Sequence, residues 1–324
     1  MAPGEPGCAL AERRPAVSRI RVSVLGAAYE LGECESGYRE AHRFEEKIAH
    51  YEMIDDAAAW GWGRFYRSAR ERTELAVASA RHTLALAERT GGDMDAVILG
   101  AAEFPSSVDS HARYCRTVLG ELGLTSAFVI GVTLGRCNTM LSAVHLADRL
   151  VASQTYHSVL VVVSDMVADE EQRFQNFALF SDAAASCVVT SHPGDLAIVA
   201  TASALDLSAL DAAGRFSGRL GRAAVDAIAR QSGVAPETVS VVLPPNLFTP
   251  IVRMSEGQSG FRADQLYLKN IANRGHCFSA DPLVNLVDLQ RGNGTGPGER
   301  VLLTSGVPGS RVSILTEVLD SQFG

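Results

Sequence analysis

Lysine is almost missing from this chain. Of 29 basic residues among 324, only Lys47 and Lys269 are lysines, so a catalytic lysine has almost no candidates. Basic charge is also in deficit. Against the 29 basic residues stand 37 acidic ones, a net charge of −8, and the basic excess of a nucleic-acid binder is not there. No apolar run reaches the roughly 18–20 residues that span a bilayer. The opening MAPGEPGCALAERRPAVS lacks the apolar stretch of a signal peptide. Six cysteines at irregular spacing do not make a disulfide framework, and without a Cys-x-x-Cys pair there is no zinc signature. These absences point to a cytoplasmic protein that works without metal, membrane or nucleic acid. What is present, 47% hydrophobic and 20% charged residues, suffices for one large domain or two ordinary ones with real cores.

Residues 1–18 read as a flexible leader. After them, strand-like runs alternate with helical ones. IRVSVLGAA (20–28) is β-branched. Residues 73–90 are rich in Ala and Leu and meet a stop at Gly91-Gly92. DAVILGAA (95–102) is a continuous apolar run, as in a strand buried on both faces. A helix near 110–122, the strand SAFVIGVTL (126–134) and a buried helix at 138–152 follow, then strands at 158–165 and 185–191. The second half repeats the order: a strand at 196–205, a helix at 221–233, a strand at 240–245 and a helix opened by Thr249 as N-cap with Pro250. A strand at 265–272, a helix opened by Asp281-Pro282, and strands at 300–306 and 311–318 complete it. Val97-Ile98-Leu99 answers Val241-Val242-Leu243, Gly91 answers Gly233, and Ser158 answers Arg300, at offsets of 142–144. The reading is a duplicated βαβαβαββ unit, its halves at 19–194 and 195–324, with an insert at 32–72 in the first. Asn293-Gly294-Thr295 has the form of a glycosylation acceptor but sits in a Gly-rich turn.

Parallel α/β sheets place their sites where strands end and helices begin. The third strand of the first half runs into GVTLGRC, which puts Cys137 at the start of the buried helix, where the helix dipole favours its thiolate. The matching loop of the second half, ANRGHCFSAD, puts His276 at the corresponding place, 139 residues on. A thiol and an imidazole thus face each other across the pseudo-symmetry, and the imidazole could take and return a proton.

With these residues on the page, the chain resembles the thiolase superfamily, and within it ketoacyl-ACP synthase III. The resemblance rests on FVIGVTLGRCNTMLSAVHLADRLVAS, VLVVVSDMV, FALFSDAAASCVV and LLTSGVPGSRVS, and extends over residues 20–318. It implies a thiolase-like α/β fold in a layered αβαβα arrangement and a nucleophilic Cys137 followed by Ala147-Asp148. It implies a Phe180-Ser181-Asp182 turn and an oxyanion hole made by the N–H groups of Cys137 and the 304–309 loop. Since Pro308 has no N–H, Gly309 is the preferred second donor. The family's condensing members carry a His in Val-Pro-His-Gln-Ala-Asn and an Asn in Gly-Asn-Thr. Here the segments read Leu243-Pro244-Pro245-Asn246 and Gly275-His276-Cys277. Two donors that would stabilise an enolate are reduced to one, while a Cys–His pair suffices for acyl transfer.

The resemblance therefore implies an acyltransferase of secondary metabolism. It would move an acyl group from acyl-CoA or the phosphopantetheine of an acyl carrier protein to a hydroxyl or amine on a small-molecule acceptor. It would act as a homodimer with no tightly bound cofactor. Carbon–carbon condensation with His276 alone and a non-catalytic partner subunit are the alternatives. Asp281 could orient His276, although an Asp before a proline is already explained as an N-cap. Asn246 could touch substrate. Trp60, Trp62, Arg64 and Arg67 could form a mouth that meets pantetheine and phosphate. Cys277 is given no role, and His145 reads as a satisfied core group.

Overall fold

The alternation of apolar strands with Ala- and Leu-rich helices closes into one long sheet flanked and threaded by helices. A computed structural model describes residues 20–102, 107–210, 218–292 and 294–320. The chain runs β1 (Ser23–Leu31), β2 (Cys34–Gly37), α1 (Phe44–His50), α2 (Ala57–Trp60), β3 (Arg64–Arg67), α3 (Arg72–Leu86), β4 (Ala96–Gly100), α4 (Val108–Glu121), β5 (Phe128–Val132), α5 (Thr139–Ala152), β6 (Ser158–Asp165) and β7 (Ala183–Thr190). It continues through β8 (Leu196–Leu205), α6 (Gly218–Ser232), β9 (Val241–Leu243), α7 (Thr249–Ser259), α8 (Lys269–Arg274), α9 (Asp281–Arg291), β10 (Arg300–Val307) and β11 (Ser310–Val318).

The strand order is β5-β4-β6-β7-β1-β8-β11-β10-β9. Read outward from the middle, β1-β7-β6-β4 is answered by β8-β11-β10-β9, a mirrored order, and β5 has no counterpart beyond β9 among the described residues. The halves join edge to edge where Ser23 and Val24 of β1 pair with Ala197 and Leu196 of β8. Helix α3 packs on β1, β6 and β7 with α4 beyond it. Helix α6 packs on β8 and β11 with α7 beside it. Helices α5 and α9 lie between the two half-sheets and touch strands of both, which gives the αβαβα layering. One core runs through this middle layer and takes Val144, Val161 and Ala185 from the first half and Leu283, Leu303 and Ile314 from the second. Strands β6 and β7 are buried at every position, as their unbroken apolar runs require.

Several local expectations are corrected. Residues 265–272 do not form a strand. Leu266 makes a single bridge to Val242, and α8 begins at Lys269. The polar residues win over the apolar pattern, because Asn270 and Arg274 both donate to Asp288 of α9, which favours a helical turn over a ladder. Thr249 is the first residue of its helix and Phe248 is the cap, without a side-chain cap bond. Helix α3 stops at Leu86 rather than at Gly91, and Glu88 takes a left-handed backbone (φ 51°) just beyond it. His145 is half-buried rather than a core group, and burial lowers its pKa. The 1–18 leader and Asn293 lie outside the described residues. No helix among the described residues is long and apolar enough to cross a membrane.

Candidate active site

Strands β4 and β6 end at one edge of the sheet, and α5 starts over them. The approach is close: a Cβ on Gly100 would meet Thr139 Cγ2 and Val163 Cγ1, each at 2.9 Å. Cys137 sits in a 3-10 turn, Arg136–Asn138, just ahead of α5. Two non-glycine residues leading to it, Leu134 (φ 68°) and Arg136 (φ 50°), hold left-handed backbone, a cost that clusters at functional turns. The turn is fixed from the second half. The Ser305 hydroxyl donates to the Cys137 carbonyl at 2.7 Å, Arg136 to the Pro308 carbonyl at 3.0 Å, and Asn138 to Ser310 Oγ at 3.1 Å.

His276 reaches the same place from the loop before α9. It bridges Phe180 in strand fashion: its N–H donates to the Leu179 carbonyl at 2.7 Å, and its carbonyl takes the Ser181 N–H at 2.9 Å. Its ring is fully buried, with Nε2 3.3 Å from Cys137 Sγ and Nδ1 against Asp281 Oδ2. Phe180 and Phe278 flank it, with ring centroids 4.8 and 6.1 Å away. Burial opposes charging this imidazole, but the Asp281 carboxylate and then Cys137 outweigh it and raise its pKa to about 10.

Asp281 lies on the first turn of α9, whose N-cap is Ala280. Its carboxylate does not cap the helix. Besides His276, it accepts the Asn246 N–H and the Cys277 N–H, both at 2.6 Å, and the Asn246 side-chain amide at 3.2 Å. Asn246 is also buried. It donates to the Gly275 carbonyl at 3.0 Å, and its Oδ1 takes a bond from Asn285 at 3.1 Å. Asn246 therefore braces the acid, and the expectation that it touches substrate is corrected by its position. The buried Cys277 thiol, raised by that burial, turns to the Arg274 carbonyl at 3.9 Å, and the Cys277 N–H holds Asp281.

The four mouth residues are not gathered at the site. Trp62 is buried in an aromatic cluster, in contact with Phe44, Phe174 and Phe248. Trp60 stacks on it and donates its indole N–H to the Ile54 carbonyl at 2.9 Å. Arg67 lies over the Phe65 ring and pairs with Glu170 at 3.1 Å, and the exposed Arg64 pairs with Glu35 at 3.1 Å. The arginines and aromatics read as a ligand mouth lie in and just before a small hairpin, β2–β3, whose Phe65 and Tyr66 are buried between Arg64 and Arg67.

Gly309 (φ 78°) forms the β10–β11 turn with Pro308, opposite the Cys137 turn, and its carbonyl takes the Asp206 N–H at 2.8 Å. Asp182 of the Phe-Ser-Asp segment is structural. It accepts from Arg173 at 2.8 Å and from the N–H groups of Val167 and Ser68, each at 2.9 Å. Ser305, Asn285 and the Cys277 N–H were missed in sequence. Of these, only Asn285 carried a signal, four residues after Asp281 on the same face of α9.

Residues 133–206, which contain Cys137 and α5, match the family described as 3-oxoacyl-[acyl-carrier-protein (ACP)] synthase III. Among solved structures, ChlB3, described as an acyltransferase, superposes with a TM-score of 0.78 at 16% identity, covering 92% of this chain and 98% of its own. The chain has the thiolase-like fold of the ketoacyl-ACP synthase III type. The 3-oxoacyl-[acyl-carrier-protein] synthase III of Aquifex aeolicus VF5 shares this fold at a TM-score of 0.73 and 20% identity, over 91% of this chain and 99% of its own. A variant of Xanthomonas campestris OleA bound with cerulenin gives 0.77 at 16%, over 93% and 97%. A search of curated proteins finds no match. Set on this ketoacyl synthase III-type fold, the His276 imidazole is backed by the Asp281 carboxylate.

Proposed function

We propose that the protein is an acyltransferase working through a Cys137 thioester. The observation that carries this reading is the continuous line Cys137–His276–Asp281, with 3.3 Å between thiol and imidazole and a fully buried acid behind it. The nucleophile, base and orienting acid of acyl transfer are together.

The first half-reaction begins with the thiolate paired to the His276 imidazolium. Sγ attacks the carbonyl carbon of a CoA or carrier-protein thioester, and the N–H groups of Cys137 and Gly309 are the proposed oxyanion donors. The donor C–S bond breaks, and the leaving thiolate takes its proton from His276. Acylation removes one of the two charges that raise the imidazole's pKa, which prepares it to act as a base. In the second half-reaction His276 takes the proton of an acceptor hydroxyl or amine. The acceptor attacks the thioester, and Cys137 is released. Asp281 holds Nδ1–H throughout, so that Nε2 faces the chemistry. Condensation would need a second donor for the enolate, and Pro245 has none.

The same reading extends to assembly and setting. Edge strand β5 leaves Phe128 at 59% and Val129 at 40% exposure, an apolar edge suited to a second copy in a homodimer. Five free thiols among the described residues fit a reducing, cytoplasmic setting. The resemblance to acyltransferase-type members supports a place in secondary-metabolite assembly. Incubation with a panel of acyl-CoA and acyl-carrier thioesters, followed by intact mass, tests the central claim. A Cys137 adduct that an acceptor discharges is expected. An adduct that persists in Cys137→Ala, or carbon dioxide released from a malonyl thioester, overturns it.

A further inference from the structure

Beside the site, a cavity of about 420 Å³ opens at the ends of β4 and β6, within the range of small-molecule sites. Phe180 and Phe278, the rings that flank His276, form one wall, with Phe177. The other wall is not apolar. Asp165, 3% exposed, lines it together with Arg72. The Asp165 carboxylate accepts the Ala102 N–H at 2.7 Å and the Ser279 hydroxyl at 3.1 Å. A carboxylate offers about four lone-pair positions, so capacity is left for another donor. Burial pushes this carboxyl above its ordinary range, and each hydrogen bond it accepts works against that shift and favours the carboxylate. The acyl transfer already described makes no use of this group.

Asp165 closes β6 and Ala102 follows the end of β4, two of the strands α5 packs on, so the cavity and the Cys137 turn share one end of β4 and β6. We propose that this cavity holds the acyl group carried on Cys137, and that Asp165 selects acyl groups bearing a hydroxyl or amino substituent over plain alkyl groups of the same length. The proposal rests on the acyl-transfer reading. It adds the substrate class: a short, hydrogen-bond-donating acyl group seated between an aromatic wall and a buried acid.

The test is single-turnover loading of the full chain with 3-hydroxybutyryl-CoA, 3-aminobutyryl-CoA and butyryl-CoA, followed as the mass of the Cys137 thioester. The substituted donors should load about tenfold faster, the scale of one hydrogen bond to a charged group. In Asp165→Asn the preference should shrink to about twofold. Ala168→Trp narrows the cavity from its exposed rim, and should slow butyryl loading more than acetyl loading. If Asp165→Asn fails to fold, the wild-type ratio and the Ala168→Trp profile still decide. Equal loading of the three donors overturns the selection. An unchanged chain-length profile in Ala168→Trp, or an Asp165→Asn defect confined to discharge by the acceptor, overturns the cavity as the acyl site. Failure of every thioester to load Cys137 overturns the acyl-transfer reading instead.

Discussion

Asn246 grips Asp281 twice, through its backbone N–H to Oδ2 at 2.6 Å and its side-chain amide to Oδ1 at 3.2 Å. The Cys277 N–H takes a third position at 2.6 Å, and His276 fills the fourth. This rigidity turns a carboxylate next to an imidazole into a device that fixes which ring nitrogen faces Cys137.

Asp281→Asn keeps the shape but presents an amide to Nδ1, which favours the wrong tautomer. Acyl transfer should fall about 10⁴-fold in kcat, the scale of the equivalent change in a serine protease triad. Stopped-flow loading and steady-state discharge, measured separately, should both show the loss. Near-normal rates in both steps would remove Asp281 from the machinery.

Stability should depend on pH through His276. Its folded pKa is raised, so its contribution is complete below its ordinary value of 6.5 and is lost as pH rises through about 10. The urea midpoint should therefore fall between pH 7 and 10, and fall less in His276→Gln. In Cys137→Ala, which lacks one of the charges that raise this pKa, the fall should begin at lower pH. Equal slopes in all three proteins would contradict this assignment.

Gly309→Ala meets two obstacles: φ is 78°, and the new Cβ would lie 2.7 Å from Leu210 N. The turn facing Cys137 must shift. A loss of about 1–3 kcal/mol in stability is expected, together with a lower kcat at little-changed KM, since the N–H is proposed to act on the oxyanion. A kcat unchanged at saturating donor would reassign the oxyanion donor to another residue.

Trp62→Ala separates core from mouth. With the indole packed among Phe44, Phe174 and Phe248, the variant should lose about 3–5 kcal/mol of stability. The folded fraction should keep the KM for a CoA thioester. A raised KM in a stable protein would restore the ligand-binding reading.

Much of this was legible in sequence for a physical reason. Buried strands and the helices that close on them must be apolar in long runs, so β6, β7 and α5 announce themselves, and the duplication repeats the announcement. Cys137 and His276 were legible because pseudo-symmetry brings their loops together. The insert misled because a strand and a ligand mouth can both interleave arginine with aromatics, and only tertiary packing shows which way Trp62 faces. Asp281 was ambiguous because an acid before a proline suits a helix start as well as an imidazole. The bonds from Asn246 and Cys277 settle which of these its carboxylate serves, and they join positions 35 and 4 residues apart. No local pattern records the longer of the two.

The Ser305 hydroxyl on the Cys137 carbonyl has a last consequence. Everything that reacts comes from one repeat or the other, and the bonds that hold the nucleophile in place cross between them. One half holds the sulfur and the other the proton, so the reacting pair exists only while the two halves stay in register.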